Sequence, residues 1–203
     1  MAFLIFFELE KDVLRTDRTV PEFSGGEADE PGFSARKNNA LESLSNILLT
    51  YHMYEPTLGY VQGMSDLLSP LYAVIRDESE TFAAFKMFMT RMSSNFAEDQ
   101  QGMHGQLVLL ERLISFMRPG LHRHLEEAGA LHLFFCFRWL LIWFKREFSF
   151  DDIMRLWEVL WTDNLGQQFH IFVALAILDQ HQEVIMEHLY GFDEILKVFS
   201  RVF

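Results

Sequence analysis

Apolar residues recur every three to four positions along most of this chain, and that period commits it to helices. Leu41, Leu44, Leu48 and Tyr51 are spaced i, i+3, i+7 and i+10. Phe82, Phe85, Met89 and Met92 repeat the spacing, as do Leu107, Leu110, Ile114 and Met117. Ile153, Leu156, Trp157, Leu160 and Trp161 follow the same rule, and so do Phe169, Phe172, Val173, Ala176 and Ile177. Each set lays one apolar stripe along one helical face. No stretch alternates polar and apolar residues with β-branched enrichment, so the chain is expected to be all-α with little or no sheet.

Breaks between the stripes place the elements. A helix over 39–54 ends at Glu55-Pro56-Thr57-Leu58-Gly59. Pro119-Gly120 divides a helix ending near Met117 from a short one at 121–128, which Gly129 closes. A very apolar helix is predicted over 130–146. Ser149 followed by Asp152 resembles a capping box opening a helix at 150–161. Residues 20–36 hold two of the five prolines, three of the eleven glycines and four acidic residues, and read as a mobile, solvated loop inserted within a domain.

Composition removes several function classes. Hydrophobic residues are 50% of the 203, with 21 Phe and 4 Trp, so the chain packs a core and is not disordered. With 17 Lys and Arg against 29 Asp and Glu the net charge is −12, which argues against nucleic-acid binding and against a polybasic membrane anchor. The single cysteine, Cys136, excludes an internal disulfide and a cysteine-rich zinc cage and suits a reducing, intracellular compartment. The apolar start Ala2–Phe7 has no cationic residue before it and is too short for a secretory signal. The longest apolar run, Ala130 to Phe144, is interrupted by His132 and Arg138 and is shorter than the ~20 residues a membrane-spanning helix needs.

Most candidate constellations fail on spacing. His122 and His124 point to different sides of a helix, and His181 and His188 lack the spacing of di-iron or zinc-protease motifs, so no metal site is expected. Cys136 reads as a small core residue. Gly25-Gly26 lacks the Lys-Ser/Thr of a phosphate loop, so the chain is not expected to hold a nucleotide alone. Arg138, set among Phe137, Trp139 and Leu140, calls for an internal ion pair or a snorkelling side chain. Two segments are less well explained by helix building. Leu9 to Arg18 ends a helical pattern in a cluster of Arg, Thr and Asp. Arg15 there is either a dipole-compensating cation partnered by Asp12 or a site residue. Gly59 to Asp66 frames Gln62 with glycines at a corner between helices, where it is either a turn residue or a side chain offered to a partner.

These two segments resemble the TBC domain, the GTPase-activating domain for Rab GTPases. The family's I-x-x-D-x-x-R-T motif stands here as Leu9-x-x-Asp12-x-x-Arg15-Thr16, with one conservative change. Its Y-x-Q-G-M motif is intact as Tyr60-Val61-Gln62-Gly63-Met64. Gly63 to Pro70, Cys136 to Phe148 and Arg155 to Trp161 resemble one branch of that family, members fifteen and seventeen and their fungal relatives. The likeness runs from about Leu9 to about Lys197.

The resemblance implies an orthogonal bundle of two helical subdomains arranged as a V, with a GTP-bound Rab as partner. It implies Arg15 as an arginine finger on the phosphate oxygens and Gln62 as the side chain that positions the attacking water. Asp12, Thr16, Tyr60 and Gly63 would support them. Arg suits the role because it is always charged and presents a planar fork, and a carboxamide both accepts and donates. GTP and magnesium would belong to the partner, so no cofactor is expected on this chain, which would act as a regulator without a reaction of its own. The alternative is a non-catalytic helical module that binds a Rab or an effector. On this reading 1–8 is an atypical N-terminal segment, 9–197 a partial domain containing the loop 20–36, and 198–203 an atypical tail. The chain lacks the family's earlier Arg-x-x-x-Trp segment and its last helices, so it is expected to be clipped at both ends and less stable than a longer domain. Recruitment through the Rab to endosomal, lysosomal or mitochondrial membranes, without insertion, completes the expectation.

Overall fold

In the computed structural model of the chain, residues 2–24 and 38–201 are described, with side chains from 6 to 24 and from 38 to 199. Every regular element among the described residues is helical. The order is α1 (Ala2–Arg15), α2 (Asn39–Tyr54), α3 (Met64–Ile75), α4 (Glu78–Phe96), α5 (Gln101–Met117), α6 (Pro119–Glu127), α7 (Phe137–Leu141), α8 (Phe150–Trp161), α9 (Phe169–Gln180), α10 (Gln182–His188) and α11 (Phe192–Arg201). The chain divides into two compact helical units, Met1–Glu98 and Asp99–Phe203. No described helix is long and apolar enough to cross a membrane.

The first unit is built from α1 to α4. Leu9 and Val13, one turn apart on α1, are fully buried, as are Leu41, Leu44 and Leu48 of α2 and Phe85 of α4. Burying each such side chain contributes roughly 1.5–3 kcal/mol. Asn38 caps α2 by accepting from the Ala40 and Leu41 amides, while its own amide donates to the Glu22 and Ser24 carbonyls. Asp77 caps α4 through the Glu80 amide. Most of the acidic loop expected at 20–36 lies outside the described residues. At its start Val20 and Phe23 are buried, and the Phe23 ring packs 6.4 Å from that of Tyr72.

The second unit departs from the sequence reading twice. The predicted helix over 130–146 is not one helix. A turn leads to a 3₁₀ segment at Phe134–Cys136, α7 spans only Phe137–Leu141, and a further turn follows. Leu133, Trp143 and Phe144 have positive φ angles of 50°, 47° and 62°. Left-handed backbone is costly for such bulky residues, and tertiary contact has to impose it. It does so here: all three side chains are buried, and the Trp157 indole donates to the Trp143 carbonyl at 2.9 Å. The face of α9 is also misread. The structure buries His170, Ile171, Ala174, Leu175, Ile177 and Leu178, leaving Phe172 half exposed. The helix is apolar nearly all round, so periodicity alone could not select its inner face.

Other expectations hold. The helix at 150–161 has the predicted bounds, and Ser149 caps it by accepting from the Asp152 amide. Cys136 is a fully buried core residue whose thiol is pushed well up by burial, with the Glu147 charge adding to the effect. Arg138 forms the internal ion pair: its Nε and Nη2 both donate to Glu147 Oε1, at 2.9 and 2.7 Å. Glu147 Oε2 is buried without a hydrogen-bond partner among the described residues. Burial therefore outweighs Arg138 and holds the Glu147 carboxyl above the usual range.

Removing one partner of such a pair strands the other charge. Arg138→Met is expected to cost about 3 kcal/mol at neutral pH, the low end for a broken buried pair, because Arg138 keeps a third of its side chain in solvent. Without the guanidinium the Glu147 carboxyl rises further, so the fold favours its protonated form and the deficit shrinks as pH falls. Urea denaturation of both proteins at about pH 8 and about pH 5 checks the sign.

Candidate functional site

The last turn of α1 carries Asp12 and Arg15, Thr16 follows in the turn just past it, and Asp17 turns left-handed, with φ of 49°. The Thr16 hydroxyl donates to the Asp12 carbonyl at 2.8 Å and is hydrogen-bonded to the Ser65 hydroxyl of α3 at 3.0 Å. One residue on, the Ser69 hydroxyl donates to the Asp17 carboxylate at 2.5 Å. Both serines are buried, so these contacts fasten the end of α1 to α3 away from water. Arg15 itself is exposed and makes no hydrogen bond or ion pair among the described residues.

The segment before α3 is held from several sides. The Gly59 amide donates to the Glu55 carbonyl at 2.7 Å, and the Tyr60 amide donates to His52 Nδ1 at 3.1 Å. The Val61 amide lies 3.4 Å from Met64 Sδ. Gly63 has φ of 98°, a conformation open to glycine and rarely to other residues, and it turns the chain into α3. The Tyr60 hydroxyl donates to Asp12 Oδ2 at 2.6 Å, joining this segment directly to α1. Burial, reinforced by the Asp12 carboxylate, pushes the Tyr60 phenol far up, so it remains a donor at all working pH values. Gln62 is exposed between these anchored neighbours and makes no hydrogen bond among the described residues.

The structure joins the two segments that carry the residues singled out in the sequence. Asp12 meets Tyr60, Thr16 meets Ser65, and Arg15 and Gln62 each stand beside one of these contacts with an exposed, uncommitted polar end. Sequence reasoning missed Ser65, Ser69, Asp17 and His52. Hydroxyl pairs and a histidine tautomer leave no periodic or motif signal, and only the folded contacts disclose them.

Elsewhere the predicted non-sites have ordinary partners. His122 Nε2 pairs with Glu111 at 2.5 Å and His124 Nε2 with the Leu189 carbonyl at 2.7 Å. No group of three or more potential metal ligands occurs among the described residues.

Tyr60→Phe tests the central contact. It leaves the Asp12 carboxylate without that donor in a half-buried setting, and is expected to destabilise the chain by about 1–2 kcal/mol in urea titration. A change below ~0.3 kcal/mol would show that the bond adds nothing to the fold.

A model of the Rab-GTPase-TBC domain matches residues 6–186. The chain is 50% identical to the GTPase-activating protein GYP7 of Yarrowia lipolytica, over 96% of this chain and 28% of that protein. It is 47% identical to GYP7 of Saccharomyces cerevisiae, over 91% of this chain and 24% of that one. It is 48% identical to human TBC1 domain family member 17, over 93% and 28%. The chain therefore spans less than a third of the length of these relatives. Its fold is that of the crystallised Ypt/Rab-GAP domain of Gyp1p, with a TM-score of 0.79 at 22% identity over 97% of this chain and 66% of that one.

Proposed function

Because the chain belongs to the Rab-GTPase-TBC domain family, we propose that it stimulates GTP hydrolysis by a GTP-bound Rab, lending Arg15 and Gln62 in trans. The observation that carries this reading is the pairing of two exposed polar side chains whose neighbours are bonded to each other, Asp12 to Tyr60 and Thr16 to Ser65. A guanidinium and a carboxamide held ready on adjoining segments suit a reaction in which charge spreads over phosphoryl oxygens while water attacks in line.

In this mechanism the Rab supplies GTP and magnesium, and the chain supplies two groups. Arg15 donates to the oxygens around the breaking bond and neutralises charge that grows only in the transition state. Gln62 accepts from the attacking water through its carbonyl and donates through its amide. Asp12, Thr16, Tyr60 and Gly63 keep both in place, so little ordering remains to be done at the moment of reaction. The partner's lipid anchor, rather than this chain, would hold the complex at an endosomal, lysosomal or mitochondrial surface.

Phosphate release from a panel of GTP-loaded Rabs tests the proposal. The parent chain is expected to accelerate at least one of them. Arg15→Ala is expected to lose about 10³-fold or more of that acceleration, and Gln62→Ala about 10²-fold. Arg15→Lys does not restore it, since an ammonium lacks the planar fork. Full stimulation by Arg15→Ala would remove the finger from the mechanism. Rab binding that survives the substitution, with no hydrolysis by either form, would make the chain a binding module instead.

A further inference from the structure

One contact at the site depends on the protonation state of a side chain outside both motifs. The Tyr60 amide points at His52 Nδ1, 3.1 Å away. A backbone N–H can only donate, so Nδ1 must be bare and the imidazole neutral, with its proton on Nε2. The ring also occupies the space beside Gly59: a Cβ built there would stand 3.0 Å from Nδ1 and 3.3 Å from Cε1. His52 is in the last turn of α2, and its Nδ1 joins the Glu55 carbonyl and the Asp12 carboxylate among the acceptors that hold the segment leading to Gln62.

We infer that neutral His52 is a positioning residue for Gln62, and that protonating its imidazole releases the Gln62 segment. An imidazolium presents N–H at both nitrogens, so Nδ1–H would then face the Tyr60 N–H, donor against donor. The amide would lose its acceptor, and the segment would have to shift by the length of the lost bond. The end of α2 is the negative end of its dipole and carries Glu55. Tyr60 brings Asp12 of α1 and Asp66 of α3 into its neighbourhood, and Lys86 of α4 lies over the Tyr54 ring, with Tyr51 on the inner face of α2. Among these groups the Tyr60 amide is the one whose contact with Nδ1 a second ring proton would break. The consequence for catalysis rests on the role proposed for Gln62; the contact itself does not.

Two measurements separate these levels. Nitrogen-detected NMR of the parent chain reads the His52 tautomer, and amide exchange reads Tyr60. The expected result is a bare Nδ1 at about pH 8, and Tyr60 exchange that outpaces the ordinary pH dependence once acidification protonates the ring. A proton on Nδ1 at pH 8 would overturn the inference, and so would Tyr60 protection unaffected by ring protonation. Rab-stimulated hydrolysis is then followed over the same range for the parent, His52→Asn and His52→Phe. Asn offers a carboxamide oxygen that accepts without titrating; Phe keeps the ring and has no acceptor. Relative to His52→Asn, which also cancels the Rab's own pH response, the parent is expected to lose about tenfold in kcat at the acid end with KM unchanged. His52→Phe should show the low kcat throughout. Parent and His52→Asn profiles that coincide would refute the coupling even if His52→Phe fails to fold. If the parent stimulates no Rab, the proposed function fails and the NMR result alone decides the contact.

Discussion

The hydrogen bond from the Tyr60 phenol to the Asp12 carboxylate is the constraint around which the rest of the site is arranged. Its two ends lie far apart in sequence, one on a helix and one on a glycine-framed turn, and it joins the two segments directly. Burial serves the bond twice. It keeps the phenol protonated, and it makes an unpartnered carboxylate there costly. Thr16 to Ser65 and Ser69 to Asp17 repeat the arrangement along α3, so three polar contacts tie α1 to the segment that follows α2. Rigidity is concentrated in these buried contacts, and Arg15 and Gln62 take no part in them.

That division explains why the motif residues differ so much in burial. Thr16 is buried and Asp12 and Tyr60 are half-buried, because their partners are inside the chain. Arg15 and Gln62 are exposed and have no such partner among the described residues. All six lie in the first unit, Met1–Glu98, where apolar residues of α1, α2 and α4 supply the packing.

The sequence made legible whatever rests on local rules. The helix at 150–161 was readable because Ser149 caps it and its apolar stripe is clean, and Arg138 was readable because a charge among aromatics needs a partner. The two motif segments stood out in the sequence through residue type and spacing, and the structure shows them in contact through Tyr60 and Asp12. The segment 130–146 was not legible. Its composition reads as a buried helix, yet Leu133, Trp143 and Phe144 take left-handed backbone because the surrounding packing and the Trp157 indole decide the outcome. The inner face of α9 failed for a related reason, since a helix apolar on every side leaves the choice to its neighbours. His52 was invisible because its role depends on a ring nitrogen meeting a backbone amide eight residues away.

The sole cysteine gives the second unit an internal clock. Cys136 is fully enclosed and its thiol is held in the unreactive protonated form by burial and by Glu147. An alkylating reagent can therefore reach it only when the packing around α7 opens. The labelling rate reports how often that happens, with no probe introduced and no second thiol to confuse the signal.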